Sequence, residues 1–189
     1  MKQAVNKWFI IIGTAVLILL LYYNYKTNVD SNTYKSPTDS QVQEFIETNN
    51  ISFLDKKDIH NEYTIVPFYD GNQVGFYTLY SDHKGEVQSR YIMSSVSKKE
   101  SKVFVAGISP ENPYAIIIIM DENLKKETKK AVVELSEGVT IEESGENKSS
   151  YIFTNNKIDD EKISMSDIKL YNSSNEVIYS LNENWKNIN

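Results

Sequence analysis

Residues 8–23, WFIIIGTAVLILLLYY, contain no charged side chain and only Thr14 as a clearly polar one. As a helix rising about 1.5 Å per residue the run covers roughly 24 Å, and interfacial residues at both ends extend it toward the ~30 Å hydrocarbon core of a bilayer. Trp8 stands at one edge and Tyr22, Tyr23 and Tyr25 at the other, where amphipathic rings are favoured at headgroup level, and Lys2, Lys7 and Lys26 are placed to reach outward. The run is expected to be a single transmembrane anchor in contact with membrane lipid, with Trp8, Tyr22 and Tyr23 as its interfacial residues. A cleaved secretory signal would need small residues after the apolar run, whereas YYNYKTNVD offers bulky rings and no A-x-A site. A pseudopilin leader would need a Gly before the run and a Glu at its fifth position, and neither is present.

Flanking lysines are nearly balanced, so orientation rests on length. Residues 1–7 are expected as a short cytoplasmic tail, 8–23 as the anchor, 24–35 as a flexible tether and 36–189 as an extracytoplasmic, mostly β domain, with the N-terminus inside and the C-terminal part outside. A cytoplasmic tail of MKQAVNK alone would be too short for a signalling or DNA-binding module, so none is expected there.

Charge and cysteine content exclude further classes. All 26 acidic residues lie at or after Asp30, while Lys2, Lys7 and Lys26 precede it, leaving 17 basic against 26 acidic residues, a balance of −9. That sign opposes binding to nucleic-acid phosphate. No cysteine is present, so there is no disulfide, thiolate metal site, cysteine nucleophile or lipidated cysteine. An exported domain without disulfides, rich in Asn, Lys, Ile and Tyr, suits a Gram-positive bacterial surface.

Beyond the polar segment NYKTNVDSNTYK, the tetrapeptide SPTD at residues 36–39 reads as a helix start: Ser36 as cap, Pro37 at the first helical position, Asp39 at the positive dipole end. Val42, Phe45 and Ile46 then share one face, and Asn49-Asn50 is the stop. From Ile51 onward apolar runs of strand length alternate with Gly, Asn, Asp and Ser clusters. Strands are expected over residues 51–54, 63–69, 73–80, 86–93, 102–108, 114–120, 129–135, 139–143, 151–154, 168–171 and 176–181. DGN (70–72), DHKG (82–85) and NSSN (172–175) read as hairpin turns, and DENLKKE (121–127) as the joint of a fourth pair. GISPENPY (107–114) reads as an exposed loop set by Pro110 and Pro113. The run Ile116 to Ile119 lacks alternation, which fits a strand covered on both faces at the centre of the core. The expected fold class is α+β, an antiparallel meander with a short helix at its start, with a two-sheet β-sandwich as the alternative.

Chemistry-bearing patterns are sparse. The two histidines, His60 and His83, are too few for a three-histidine zinc site, and both sit in loop-like contexts. Neither Ser109 nor Ser144 stands in a nucleophile elbow, and no glycine-rich phosphate loop occurs. The acidic groups Glu142, Glu143, Glu146 and Asp159, Asp160, Glu161 lack the spacing of a calcium loop. No cofactor, metal or catalytic residue is therefore assigned. Tyrosine is abundant, with 13 residues. Strand alternation puts Tyr80, Phe76 and Val74 on one face of a hairpin and Tyr77 and Leu79 on the other, and Tyr69, Tyr77, Tyr80 and Tyr91 are candidates for a binding surface. The functional expectation is a membrane-anchored interaction or accessory protein of a bacterial envelope, contacting an envelope protein or wall component. A carboxylate-dependent surface hydrolase, or a subunit of an envelope complex, is the alternative.

Overall fold

The computed structural model describes residues 16–22, 34–96, 102–109, 112–154 and 165–182. Antiparallel pairing dominates: every strand contact among the described residues is antiparallel, and helices are few. The first sheet is a meander, β1 (Lys57–Ile59), β2 (Tyr63–Tyr69), β3 (Gln73–Ser81) and β4 (Val87–Ser95), in spatial order β1-β2-β3-β4. The second holds β5 (Val103–Ser109), β6 (Asn112–Ile119) and β9 (Ser150–Thr154), in the order β5-β6-β9. The third holds β7 (Lys130–Leu135), β8 (Thr140–Ser144), β10 (Met165–Tyr171) and β11 (Val177–Ser180), in the order β11-β10-β7-β8. Three sheets thus stand where the sequence left one sheet or a two-sheet sandwich open.

Packing explains the number. Along β6, Ala115, Ile117 and Ile119 cluster with Tyr151 and Phe153 of β9 and with Ala131, Val133, Ile168 and Leu170 of the third sheet. Its alternate residues Tyr114, Ile116 and Ile118 cluster with Ile152 and with Ile59, Ile65, Val74 and Phe76 of the first sheet. The four isoleucines are each at most 2% exposed, so β6 is covered on both faces and the second sheet is the central layer. This bears out the reading of the isoleucine run.

Helix α1 (Asp39–Thr48) closes the other side of the first sheet, with Val42 and Ile46 buried on Val66 and Leu79. Its start differs from expectation. Thr38, not Ser36, is the cap: its hydroxyl accepts from the Gln41 amide while the Gln41 side chain accepts from the Thr38 amide. This reciprocal capping box satisfies two orphan donors, which Ser36 and Pro37 together could not do. Gln41 also donates to the Gly85 carbonyl at 2.7 Å, tying the helix to the β3–β4 turn.

The Asp and Asn turns act as read from sequence. Asp70 accepts from the Asn72 and Gln73 amides, Asp82 from Lys84 and Glu86, and Asn172 from Ser174 and Glu176. Those backbone donors hold the Asp70 and Asp82 carboxyls below the ordinary carboxylate range.

Other expectations need correction. Residues 51–54 form no strand; Phe53 makes only an isolated bridge to Phe68, and the edge of the sheet is β1, further along, where Lys57 pairs Ile65. DENLKKE joins no hairpin: it contains α2 (Glu122–Glu127), capped by Asp121, and carries the chain from the central sheet to the third. GISPENPY is largely strand, because Gly107, at φ 104°, makes a bulge that lets Ser109 pair Asn112. Lys35, in the expected tether, exchanges backbone hydrogen bonds with Ser81 and belongs to the folded part.

Two substitutions test the layered core. Ile117→Ala, between the central and third sheets, should lower the unfolding free energy by about 2 to 5 kcal/mol. Ile92→Ala on β4 should stay within about 0.5 kcal/mol of the parent, since Ile92 is 57% exposed. Urea unfolding followed by circular dichroism measures both.

Candidate interaction surface

The two outer faces of the molecule differ in chemistry. On the third sheet the face turned from the core is a ladder of ion pairs, with Lys130–Glu142 at 3.6 Å, Lys169–Glu134 at 2.5 Å and the Lys130 ammonium 4.7 Å above the Tyr171 ring. Such a face is content in water. On the first sheet, α1 covers only part of the outer face. Beyond the helix the register runs Phe53 to Phe68, Phe68 to Gly75 and Gly75 to Met93 in one row, with Val66, Tyr77 and Tyr91 in the next. Phe53 is 42%, Tyr91 60% and Met93 40% exposed.

Tyr77 is the hub of this strip. Its ring lies 5.3 Å from Phe45 of α1, 5.3 Å from Phe68 and 5.8 Å from Tyr91. Edge-on and tilted rings at these separations attract one another, so Phe45, Phe68, Tyr77 and Tyr91 form one connected aromatic cluster. Gly75 leaves the floor low: a Cβ there would sit 2.1 Å from the Ile92 carbonyl oxygen, so the β3 and β4 backbones approach more closely than any side chain permits.

The structure divides the four tyrosines singled out from sequence into two pairs. Tyr77 and Tyr91 are neighbours on the helix side of the first sheet. Tyr80 and Tyr69 lie on the opposite face. Tyr80 meets the Tyr34 ring at 4.7 Å and the Arg90 guanidinium at 5.9 Å, while Tyr69 packs against the cluster shared with the central sheet. They form no common surface. Phe53 and Met93 complete the exposed apolar group on the helix side and were missed; Ile92, also exposed, pairs Phe76 and lies on the opposite face. The signal for Ile92 and Met93 was the uncharged stretch YIMSS, apolar at positions of both parities, which a strand buried on one face does not show.

Of the anchor residues, Trp8 and Tyr23 lie outside the described residues. Residues 16–22 are helical, and Val16 through Tyr22 are each at least 50% exposed. No helix among the described residues is long and apolar enough to cross a membrane.

Several charged groups elsewhere pair within the fold. Where the three sheets meet, Glu143 of β8 receives Lys148 at 2.7 Å and Lys57 of β1 at 3.9 Å, and Lys57 donates to the Ile152 carbonyl of β9. The hydrogen bond to Glu143 raises the Lys148 pKa, which favours the ammonium form that makes this pair. Asp167, buried, accepts from the amides of Ile168 and Asn182 and from the Ser180 hydroxyl, which seals the end of the β10–β11 hairpin. His60 and His83 are exposed in turns. Among the described residues no group of three or more His, Asp or Glu could hold a metal ion. Asp159, Asp160 and Glu161 lie outside them.

No protein family, curated protein or solved structure matches this chain.

Burial pushes the phenols of Tyr151 and Tyr63 up to about 12, helped by Glu143 beside the first and by Tyr114 and Glu62 beside the second. In the unfolded chain the same phenols ionise near 10, so their contribution to stability is complete below that pH and is lost as pH rises from 10 toward 12. The urea midpoint should fall between about pH 9 and about pH 11.5, and Tyr151→Phe should fall less steeply over that interval. Equal slopes would show that Tyr151 does not carry the effect.

Proposed function

We propose that the chain is a membrane-tethered accessory protein of a bacterial envelope that acts by binding, its domain held on the outer side of the membrane. The observation that carries the tether is the helix at residues 16–22, seven successive apolar residues with side chains exposed around its whole circumference. A helix apolar on every side is at home only in a nonaqueous surrounding, and residues 8–23 continue the same composition. The binding role is supported by the preorganised strip of Phe53, Tyr77, Tyr91 and Met93, which presents rigid rings at low entropic cost beside a charged and solvated remainder. Its partner is an envelope protein or a wall component with a flat apolar or saccharide-like face. Recognition would come from ring stacking and from the tyrosine hydroxyls at the rim.

The tether is tested by fractionating cells that express the full chain. It should sediment with membranes and resist alkaline carbonate, and protease added to intact cells should remove the C-terminal domain. Recovery in the soluble fraction, or release into the medium trimmed at its front end, contradicts the reading. For the surface, Phe53→Ser should weaken capture of a crosslinked envelope partner by about tenfold, the effect of losing roughly 1 to 2 kcal/mol at a contact hot spot. Lys169→Ala, on the opposite face, should leave capture unchanged.

A further inference from the structure

Every sheet has two edges, and an edge strand exposes a row of unpaired amides and carbonyls that invites another strand unless something blunts it. Among the described residues five of the six edges are blunted. β1 is three residues long and carries Lys57 and Asp58. β5 is bent by the bulge at Gly107–Ser109, and β9 has the Lys57 ammonium on its Ile152 carbonyl. β8 carries Glu142 and Glu143, and β11 is four residues long with a register shift beside it. β4 is neither short nor bulged, and its one charge, Arg90, is drawn over the Tyr80 ring. It makes nine unbroken pairs with β3, contains no Pro, Lys, Asp or Glu, and is exposed along nearly its whole length on both faces.

The direction of its free groups follows from the ladder. Val96 donates to the Asn72 carbonyl, and the Ile92 carbonyl faces Gly75, so the even-numbered backbone groups of β4 point to β3. Strand alternation turns the amides and carbonyls of Val87, Ser89, Tyr91, Met93 and Ser95 to the open edge. We infer that this edge is completed by β4 of a second copy of the chain, paired antiparallel about a twofold axis at Tyr91.

The sequence of β4 is self-complementary about that residue. Tyr91 meets Tyr91 of the second copy, Ser89 meets Met93 and Val87 meets Ser95 as hydrogen-bonded pairs, with Arg90 opposite Ile92 and Gln88 opposite Ser94 between them. All nine residues find partners and every outward group is satisfied. Charge within the strand does not oppose this occupant. β4 holds no acid, and its one charge, Arg90, bends back over its own Tyr80 ring and would stand opposite Ile92, so no like charges are set directly opposite. Because the axis is normal to the sheet, both copies keep α1 and the aromatic strip on one side, and the two strips merge across Tyr91 into a single surface. The pairing thus deepens the contact-surface reading and rests on it for that merged surface.

The absence of cysteine makes introduced thiols unique reporters. Gln88 and Ser94 of opposite copies would form a non-hydrogen-bonded pair with Cα atoms about 4.5 Å apart, within disulfide range, whereas Gln88 and its own counterpart would be about 20 Å apart. Full-length Gln88→Cys and Ser94→Cys chains, extracted in mild detergent, should form a mixed disulfide on gentle oxidation at least about fivefold more than either variant alone. Adding Ser89→Pro, which removes an outward amide but no bond to β3, should abolish that excess while the circular dichroism spectrum is kept. A mixture giving no more disulfide than the single variants overturns the pairing, and that comparison decides alone if Ser89→Pro does not fold. Failure of the mixed disulfide while Phe53→Ser still loses its envelope partner condemns the pairing and spares the contact surface. Formation of the disulfide with capture unaffected by Phe53→Ser does the reverse.

Discussion

Two-sided burial of β6 is the constraint on which the rest of the structure depends. A strand with isoleucine at four successive positions cannot present either face to water, so it needs an apolar sheet on each side. The first and third sheets supply those faces. Each then needs only one apolar face, which frees the other to differ. On the third sheet it became an ion-pair ladder. On the first it became a surface half covered by α1 and half left to aromatic rings.

The polar groups at the seams serve this layering. Lys57, Glu143 and Lys148 come from the first sheet, the third sheet and the loop leading into β9, and their contacts converge at one corner where the layers meet. A buried or half-buried ion pair adds little net energy after desolvation, but it penalises misregistered sheets, because a lone charge would remain. Asp167 does the same for the closing hairpin: its carboxylate has backbone and hydroxyl donors waiting in one register only.

Much of this was legible in the sequence wherever local chemistry decides. Asp70, Asp82 and Asn172 hydrogen-bond backbone amides within their own turns, so those hairpins could be read without tertiary information. The isoleucine run declared its burial by lacking alternation. Tertiary choices were less accessible. Residues 51–54 have strand composition but find only one partner, at Phe68, while the less apolar β1 wins the edge because Lys57 there can reach Ile152 and Glu143. Nothing local says that β6 and β7 belong to different layers, since a connection of that length serves a hairpin or a crossing equally well. The tyrosines were found but could not be grouped by count alone. Parity placed Tyr77 apart from Tyr80, and the position of β4 at a bare edge left Tyr91, Ile92 and Met93 exposed.

Residue-resolved hydrogen exchange tests the central claim most directly. If β6 is the covered middle layer, the hydrogen-bonded amides among Ile116 to Ile119 exchange only through global unfolding, with opening free energies equal to that from urea denaturation. Outward-facing amides of β4, such as Tyr91, should exchange far faster at dilution. Exchange of the β6 amides at rates like those of β4, or well below the global unfolding free energy, would contradict the layered arrangement.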